Sequence, residues 1–151
     1  MKKIKLNLGC GFRHLKGFVN IDNRSEVKPD MPCDILDGLP YADDTMDVVL
    51  ANDFLEHIPV GKTIGVVTEI WRVLKPGGTF ESLTPDAEHG QGFYQDPNHL
   101  SPWVENSWLY YSDPAYRALY GIQANFNIET IERLQTGNRV FHLHVIAKAI
   151  K

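Results

Sequence analysis

Ile4-Lys5-Leu6-Asn7-Leu8-Gly9-Cys10-Gly11, followed 11 residues later by the acid that ends Phe18-Val19-Asn20-Ile21-Asp22, is the stretch on which the reading of this chain turns. Each half is a short alternating run of the kind that forms a strand. Glycines directly after a first strand let a ligand approach the backbone, and a carboxylate at the end of the second can accept both hydroxyl hydrogens of a ribose. A Gly-x-Gly alone also fits a tight turn; Asp22 in its place favours a nucleoside site. Residues 12–17, Phe-Arg-His-Leu-Lys-Gly, leave no room for a crossover helix, and no third glycine follows. The helix N-terminus that would hold a pyrophosphate is therefore missing. The pattern argues against NAD or FAD and for a nucleoside without phosphate.

Downstream, Cys33-Asp34-Ile35 reads as a weak third strand and Met46 to Ala51 as a near-continuous apolar strand of the kind buried in a parallel sheet. Between residues 59 and 78 the period changes: Val60, Ile64, Val67, Trp71 and Leu74 are spaced for one helical face, with Pro59 near the start and Pro76-Gly77-Gly78 as the stop. With a strand at 79–83 this makes a βαβ unit. Glu81 is out of place there, because a buried unpaired carboxylate is costly; it must face solvent or meet a partner. Residues 86–112 are too long for an ordinary connection and read as an insertion or lid, with Gly90 and Gly92 as hinges. Ser101-Pro102 and Asp113-Pro114 each predict the start of a short helix. Residues 122–134 and 139–150, joined through Gly137-Asn138, predict an antiparallel hairpin with Phe141, Leu143, Val145 and Ala147 on one face.

The chain has 151 residues, the size of one domain (1–151) with one core. Residues 31–112 carry 3 basic and 13 acidic side chains, which disfavours a grip on duplex nucleic acid. Met1-Lys2-Lys3 could open a signal peptide, but Lys5 and Asn7 interrupt the apolar run that one requires. No run is long enough for a membrane helix, and two lone cysteines make no disulfide framework. The expectation is a cytoplasmic protein.

Four stretches together resemble the class I S-adenosylmethionine-dependent methyltransferases, and within them a small group of predicted methyltransferases with a shortened first crossover. They are Leu6 to Gly11; Val19 to Asp22; Cys33-Asp34-Ile35-Leu36-Asp37-Gly38-Leu39-Pro40-Tyr41 with Asp44 to Val49; and Leu55-Glu56-His57 followed by Glu69 to Gly78. The resemblance covers residues 4 to about 85. It implies an α/β fold, Rossmann-like, with a mostly parallel sheet of seven strands and a C-terminal antiparallel hairpin, and S-adenosylmethionine as cofactor. It also implies that Gly9, Cys10 and Gly11 pass close to the methionine moiety, that Asp22 binds the ribose, and that Asp34 accepts from the adenine amino group with Ile35 on the ring. Asn52 and Asp53 would lie near the methionine end.

Methyl transfer from a sulfonium is an in-line displacement, in which alignment supplies much of the rate. Where the acceptor needs a base, the candidates are His99, His57 and Asp53, the last two read as sharing a helical face. A metal is not expected, since His57 and His99 match no standard ligand spacing. His142 and His144 read as an edge-strand pair, and Cys10 and Cys33 as fillers. The acceptor, whether a small molecule, a sugar or a protein side chain, is left open, and a shallow pocket is compatible with a homodimer. Two rivals stand beside the enzyme: a non-catalytic nucleoside-binding module, and a nicotinamide dehydrogenase fragment, which the missing third glycine disfavours.

Overall fold

The structure, a computed structural model, describes residues 3–151; the Met1-Lys2 end of the signal-peptide reading lies outside the described residues. Strands β1 (Lys5–Leu8), β2 (Val19–Asp22), β3 (Met31–Pro32), β4 (Met46–Asn52), β5 (Leu74–Gly90), β6 (Phe126–Gly137) and β7 (Val140–Ala149) form one sheet in the order β3-β2-β1-β4-β5-β7-β6. The pairings are parallel from β3 through β5, and β7 runs antiparallel to both β5 and β6. This is the mostly parallel sheet with a terminal hairpin that the sequence predicts. Among the described residues no helix is long and apolar enough to cross a membrane.

The first crossover is a loop, as its length requires, and two buried asparagines explain how it is held. Asn7 in β1 and Asn20 in β2 are 4% and 5% exposed and bond to each other at 2.9 Å. Asn7 also donates to the Arg13 carbonyl, Asn20 accepts from the Leu15 amide, and Asp30 accepts from both the side chain and the amide of Asn20. Strand side chains thus satisfy loop backbone that a helix would have satisfied internally.

The only crossover helix among the described residues, α1 (Thr63–Val73), lies between β4 and β5. It is shorter than the pattern suggests, and its buried face differs. Val66, Val67, Ile70 and Val73 are buried, whereas Val60 precedes the helix at 78% exposure and Ile64 is 37% exposed. Leu74 already belongs to β5. Trp71 is half-buried against the core, donating from its indole to the Ile150 carbonyl at 2.8 Å.

Other expectations are corrected in detail. The third strand is Met31–Pro32 and not Cys33–Ile35, because Asp34 caps a 3₁₀ turn over Ile35–Asp37 through the Leu36 amide. Asp113-Pro114 does open α2 (Pro114–Tyr120), with Asp113 accepting from two first-turn amides. Ser101-Pro102 opens no helix; the buried Ser101 hydroxyl instead donates to the Ile58 carbonyl at 2.7 Å. The next turn is a 3₁₀ segment, Glu105–Tyr111. β7 is not an edge strand, since β6 flanks it.

On β5 and β7 the two sheet faces diverge. Phe80, Ser82 and Thr84, with Leu143, Val145 and Ala147, are buried on one, where Trp108 and Phe126 pack against Phe80 at ring separations of 5.8 Å. Thr79, Glu81, Leu83, His144 and Lys148 are half-buried on the other. Glu81 therefore finds both escapes open to it. It lies on the thinly covered face, and His144 Nε2 is 2.9 Å from its carboxylate.

Candidate functional site

A cleft of about 700 Å³ opens where β1, β2, β3 and β4 end, within the range of small-molecule sites. Carboxyl ends of parallel strands are where open α/β sheets take ligands. Leu8, Gly9, Ile21, Asp22, Arg24, Asp34, Ile35, Asp53, Phe54 and His57 are among its walls.

The glycine loop is fixed from both sides. Gly9 sits at φ +60°, and a Cβ there would collide with the Phe54 ring, so backbone alone can pass between that ring and the cleft. Gly11, at φ +49°, donates its amide to Asp22 Oδ2 at 2.9 Å. Cys10, 4% exposed, turns inward beneath the loop, where burial and the nearby Asp22 and Asp30 charges push its thiol up. Neither Cys10 nor Gly11 is among the lining residues.

Asp22 is 5% exposed, and every donor on it is local. Oδ1 takes the Arg24 amide at 3.0 Å and Arg24 Nε at 3.1 Å; Oδ2 takes the Gly11 amide and, at 3.4 Å, the Arg24 guanidinium. Burial raises its carboxyl, but the Arg24 and Gly11 hydrogen bonds outweigh that, leaving it below the usual carboxylate range. Arg24 is more than half exposed and can leave, so Asp22 is an ionised, oriented acceptor beside the glycine loop. Arg24 was not singled out in the sequence, although its place two residues after the acid offered a hint. On the adjoining wall Asp34 is half-buried, and Ile35 presents an apolar surface 7% exposed.

β4 ends in Asn52, which is half-buried and off the cleft wall; Asp53, the next residue, is on it. Asp53 takes a left-handed backbone, φ +49°, and Leu55–His57 is a 3₁₀ turn, so Asp53 and His57 do not share a helical face. A hydrogen bond from His142 Nε2 at 3.1 Å lowers the Asp53 carboxyl, opposed by burial and helped by the charges of His142 and Arg13. No local signal could have found His142, 89 residues away in sequence.

His57 is on the cleft wall with its Nδ1 3.2 Å from the Asn98 carbonyl. His99 stands behind it, ring centroids 4.9 Å apart and edge-on, and does not reach the wall. Its side chain is 9% exposed, with Nδ1 2.8 Å from the Phe93 carbonyl. Beside these rings lies Glu56, 0% exposed, whose carboxyl burial raises to about 8 against the pull of its own amide, with Asp53 and Asp96 adding repulsion. Sequence reasoning passed over Glu56 because its burial follows from the docking of residues 91–104, not from its neighbours.

Residues 16–81 match the family model described as the methyltransferase domain, which is less than half of the chain. An uncharacterized methyltransferase of Mycobacterium tuberculosis is 46% identical over 41 residues. That match spans 27% of this chain and 15% of the relative's length. A solved methyltransferase of Methanosarcina mazei, described as dependent on S-adenosylmethionine, superposes with a TM-score of 0.68 at 18% identity, covering 99% of this chain and 94% of that one. The 1,6-didemethyltoxoflavin-N1-methyltransferase of Burkholderia thailandensis, solved with its namesake compound and S-adenosylhomocysteine, gives 0.67 at 13% identity over 98% and 71%. At such identities the likeness is one of fold.

Proposed function

We propose, from the premise that this chain is built on the class I methyltransferase fold and carries the methyltransferase-domain match over residues 16–81, that it transfers a methyl group from S-adenosylmethionine. The observation that carries the reading is Asp22: a buried, ionised carboxylate at the end of β2, bonded to the Gly11 amide beside a loop that only backbone can follow. In this reading the ribose hydroxyls replace the Arg24 guanidinium on Asp22. Asp34 accepts from the adenine amino group, Ile35 packs on the ring, and the methionine end runs past Gly9 and Gly11 toward Asn52 and Asp53. S-adenosylmethionine supplies the electrophilic methyl group.

Asp53, held ionised by His142, complements the positive charges of the ammonium and sulfonium groups better than it serves as a base. Alignment of the acceptor is then the main task of the walls. For an acceptor that must lose a proton, His57 lies nearest the cleft, and His99 stands one ring behind. The acceptor is a small molecule, a sugar or a protein side chain, seated over the open end of the cleft, with the part of residues 86–112 around Tyr94, outside β5 and the buried aromatics, as the part that closes over it.

Calorimetric titration with S-adenosylmethionine, S-adenosylhomocysteine and NAD, with release of labelled methyl followed in cell extract, tests the reading. Saturable binding of the first two and none of NAD is expected. Binding without turnover on any extract fraction would leave the non-catalytic module, and failure of both ligands to bind would end the proposal.

A further inference from the structure

We propose that Glu56, His57 and His99 hold a divalent transition-metal ion, zinc by the chemistry of the donors, at the rim of the cleft where residues 91–104 dock onto the turn after β4. The first observation is Glu56. It is 0% exposed, and neither carboxyl oxygen has a hydrogen-bond partner outside its own residue. A buried carboxyl without a donor is expensive, and no Lys or Arg forms an ion pair with it among the described residues. The carboxyl is built into the fold with neither a cation nor a donor from another side chain beside it.

The two imidazoles supply the second observation. Each sets Nδ1 against a backbone carbonyl, His57 at 3.2 Å from Asn98 and His99 at 2.8 Å from Phe93. A carbonyl only accepts, so Nδ1 carries a proton, and in the neutral ring the lone pair is then on Nε2, the tautomer and the outer partner that metal-bound histidines use. One ligand atom from each of Glu56, His57 and His99 lies within 4.8 Å of the other two. Donors sharing a tetrahedral zinc at about 2.0–2.2 Å stand roughly 3.3 Å apart, so the exposed His57 ring must turn inward to close the set. Asp96 Oδ2, 3.6 Å from His99 Nε2, is at hand as a fourth ligand.

Two imidazoles with a carboxylate suit zinc and its neighbours better than magnesium or calcium, which prefer oxygen. The sequence reading set a metal aside because it judged spacing, and Glu56-His57 and His99 lie more than 40 residues apart. Only the fold joins them, through the Leu100 and Ser101 amides that donate to the Glu56 carbonyl at 2.8 and 3.0 Å. The second acid–histidine cluster, Asp86, Glu88 and His89, is different in kind: Asp86 already takes Arg133 at 2.6 Å and the Glu88 amide at 2.9 Å.

The test uses the untagged, chelator-treated 151-residue chain titrated calorimetrically with zinc chloride, and separately with cobalt chloride followed by visible absorption. One equivalent of each is expected, with the cobalt bands of a low-coordinate nitrogen and oxygen site. Glu56→Gln and His99→Ala should each weaken binding by at least about tenfold to a hundredfold, the loss that removing even an outer partner of a metal histidine brings. His89→Ala should change nothing. Absence of saturable binding, unchanged affinity in both site variants, loss of binding in His89→Ala, or equal binding of magnesium chloride would each overturn the proposal. Circular dichroism monitors folding, and if Glu56→Gln fails to fold, the cobalt spectrum of His99→Ala decides. Titration of the same metal-free protein with S-adenosylhomocysteine reads the cofactor site separately, so failure of one assignment is distinguishable from failure of the other.

Discussion

Asp22 and Gly9 show how much rests on single residues. Asp22→Ala removes the charged acceptor at the end of β2, and hydrogen bonds to charged groups contribute about 1.5–3 kcal/mol. S-adenosylhomocysteine affinity should fall at least about tenfold by calorimetry; an unchanged affinity would sink the ribose assignment. Gly9→Ala meets two penalties, a left-handed φ and the Phe54 ring. Backbone strain alone costs on the order of 1–3 kcal/mol, so the melting temperature should drop even without ligand. Both positions were legible from residues 4–22, because a strand end and a Gly-x-Gly are local features. Arg24 on Asp22 and His142 on Asp53 are contacts that the sequence reading did not include.

The helix between β4 and β5 illustrates where periodicity misleads. Val60, Ile64, Val67, Trp71 and Leu74 make a regular stripe, yet the buried row is Val66, Val67, Ile70 and Val73. The stripe placed Val60 and Leu74 in a helix that contains neither, which rotated the inferred face. Ile70→Ala should therefore cost about 2–5 kcal/mol in urea unfolding, as deletions in a packed core do. Ile64→Ala should cost under about 1 kcal/mol. At the neighbouring elements, Asp86 on β5 accepts from Arg133 on β6 at 2.6 Å. Burial pushes its carboxyl up, but the bonds from Arg133 and the Glu88 amide hold it below its ordinary value. A carboxyl depressed in the folded state adds stability above its unfolded pKa of about 3.9, and that stability is lost as pH falls through the folded value. Asp86→Asn should lower the melting temperature near neutrality, with the gap to wild type closing below about pH 4. A gap independent of pH would show that the ion pair is not its cause.

For the whole molecule the open question is what moves. Residues 86–112 read as one lid, but the structure divides them: β5 continues through Gly90, while Trp103, Trp108 and Tyr111 are 2–4% exposed in the core. The aromatic half of the segment is packed against Phe80, and Tyr94, at 72% exposure, belongs to the part that is not. Hydrogen exchange should find amides 103–111 slow with or without S-adenosylhomocysteine, and amides 93–99 protected only with it. Equal protection of 93–99 in both states would argue for a rigid surface loop.

The sequence by itself determined most of the strands along the chain, though not the place of β3, and it determined the existence of a helix between β4 and β5, the missing first helix, the terminal hairpin, and the glycine and acid at the ends of β1 and β2. Each is a consequence of local periodicity, chain length or backbone conformation. Tertiary structure decided the rest: that Asn7 and Asn20 hold the short crossover, that Glu81 meets His144, that His142 meets Asp53, and that Glu56 is sealed where residues 91–104 dock. The side-chain pairs among these join residues 13 to 89 apart, and contacts made across such distances leave no period in the chain.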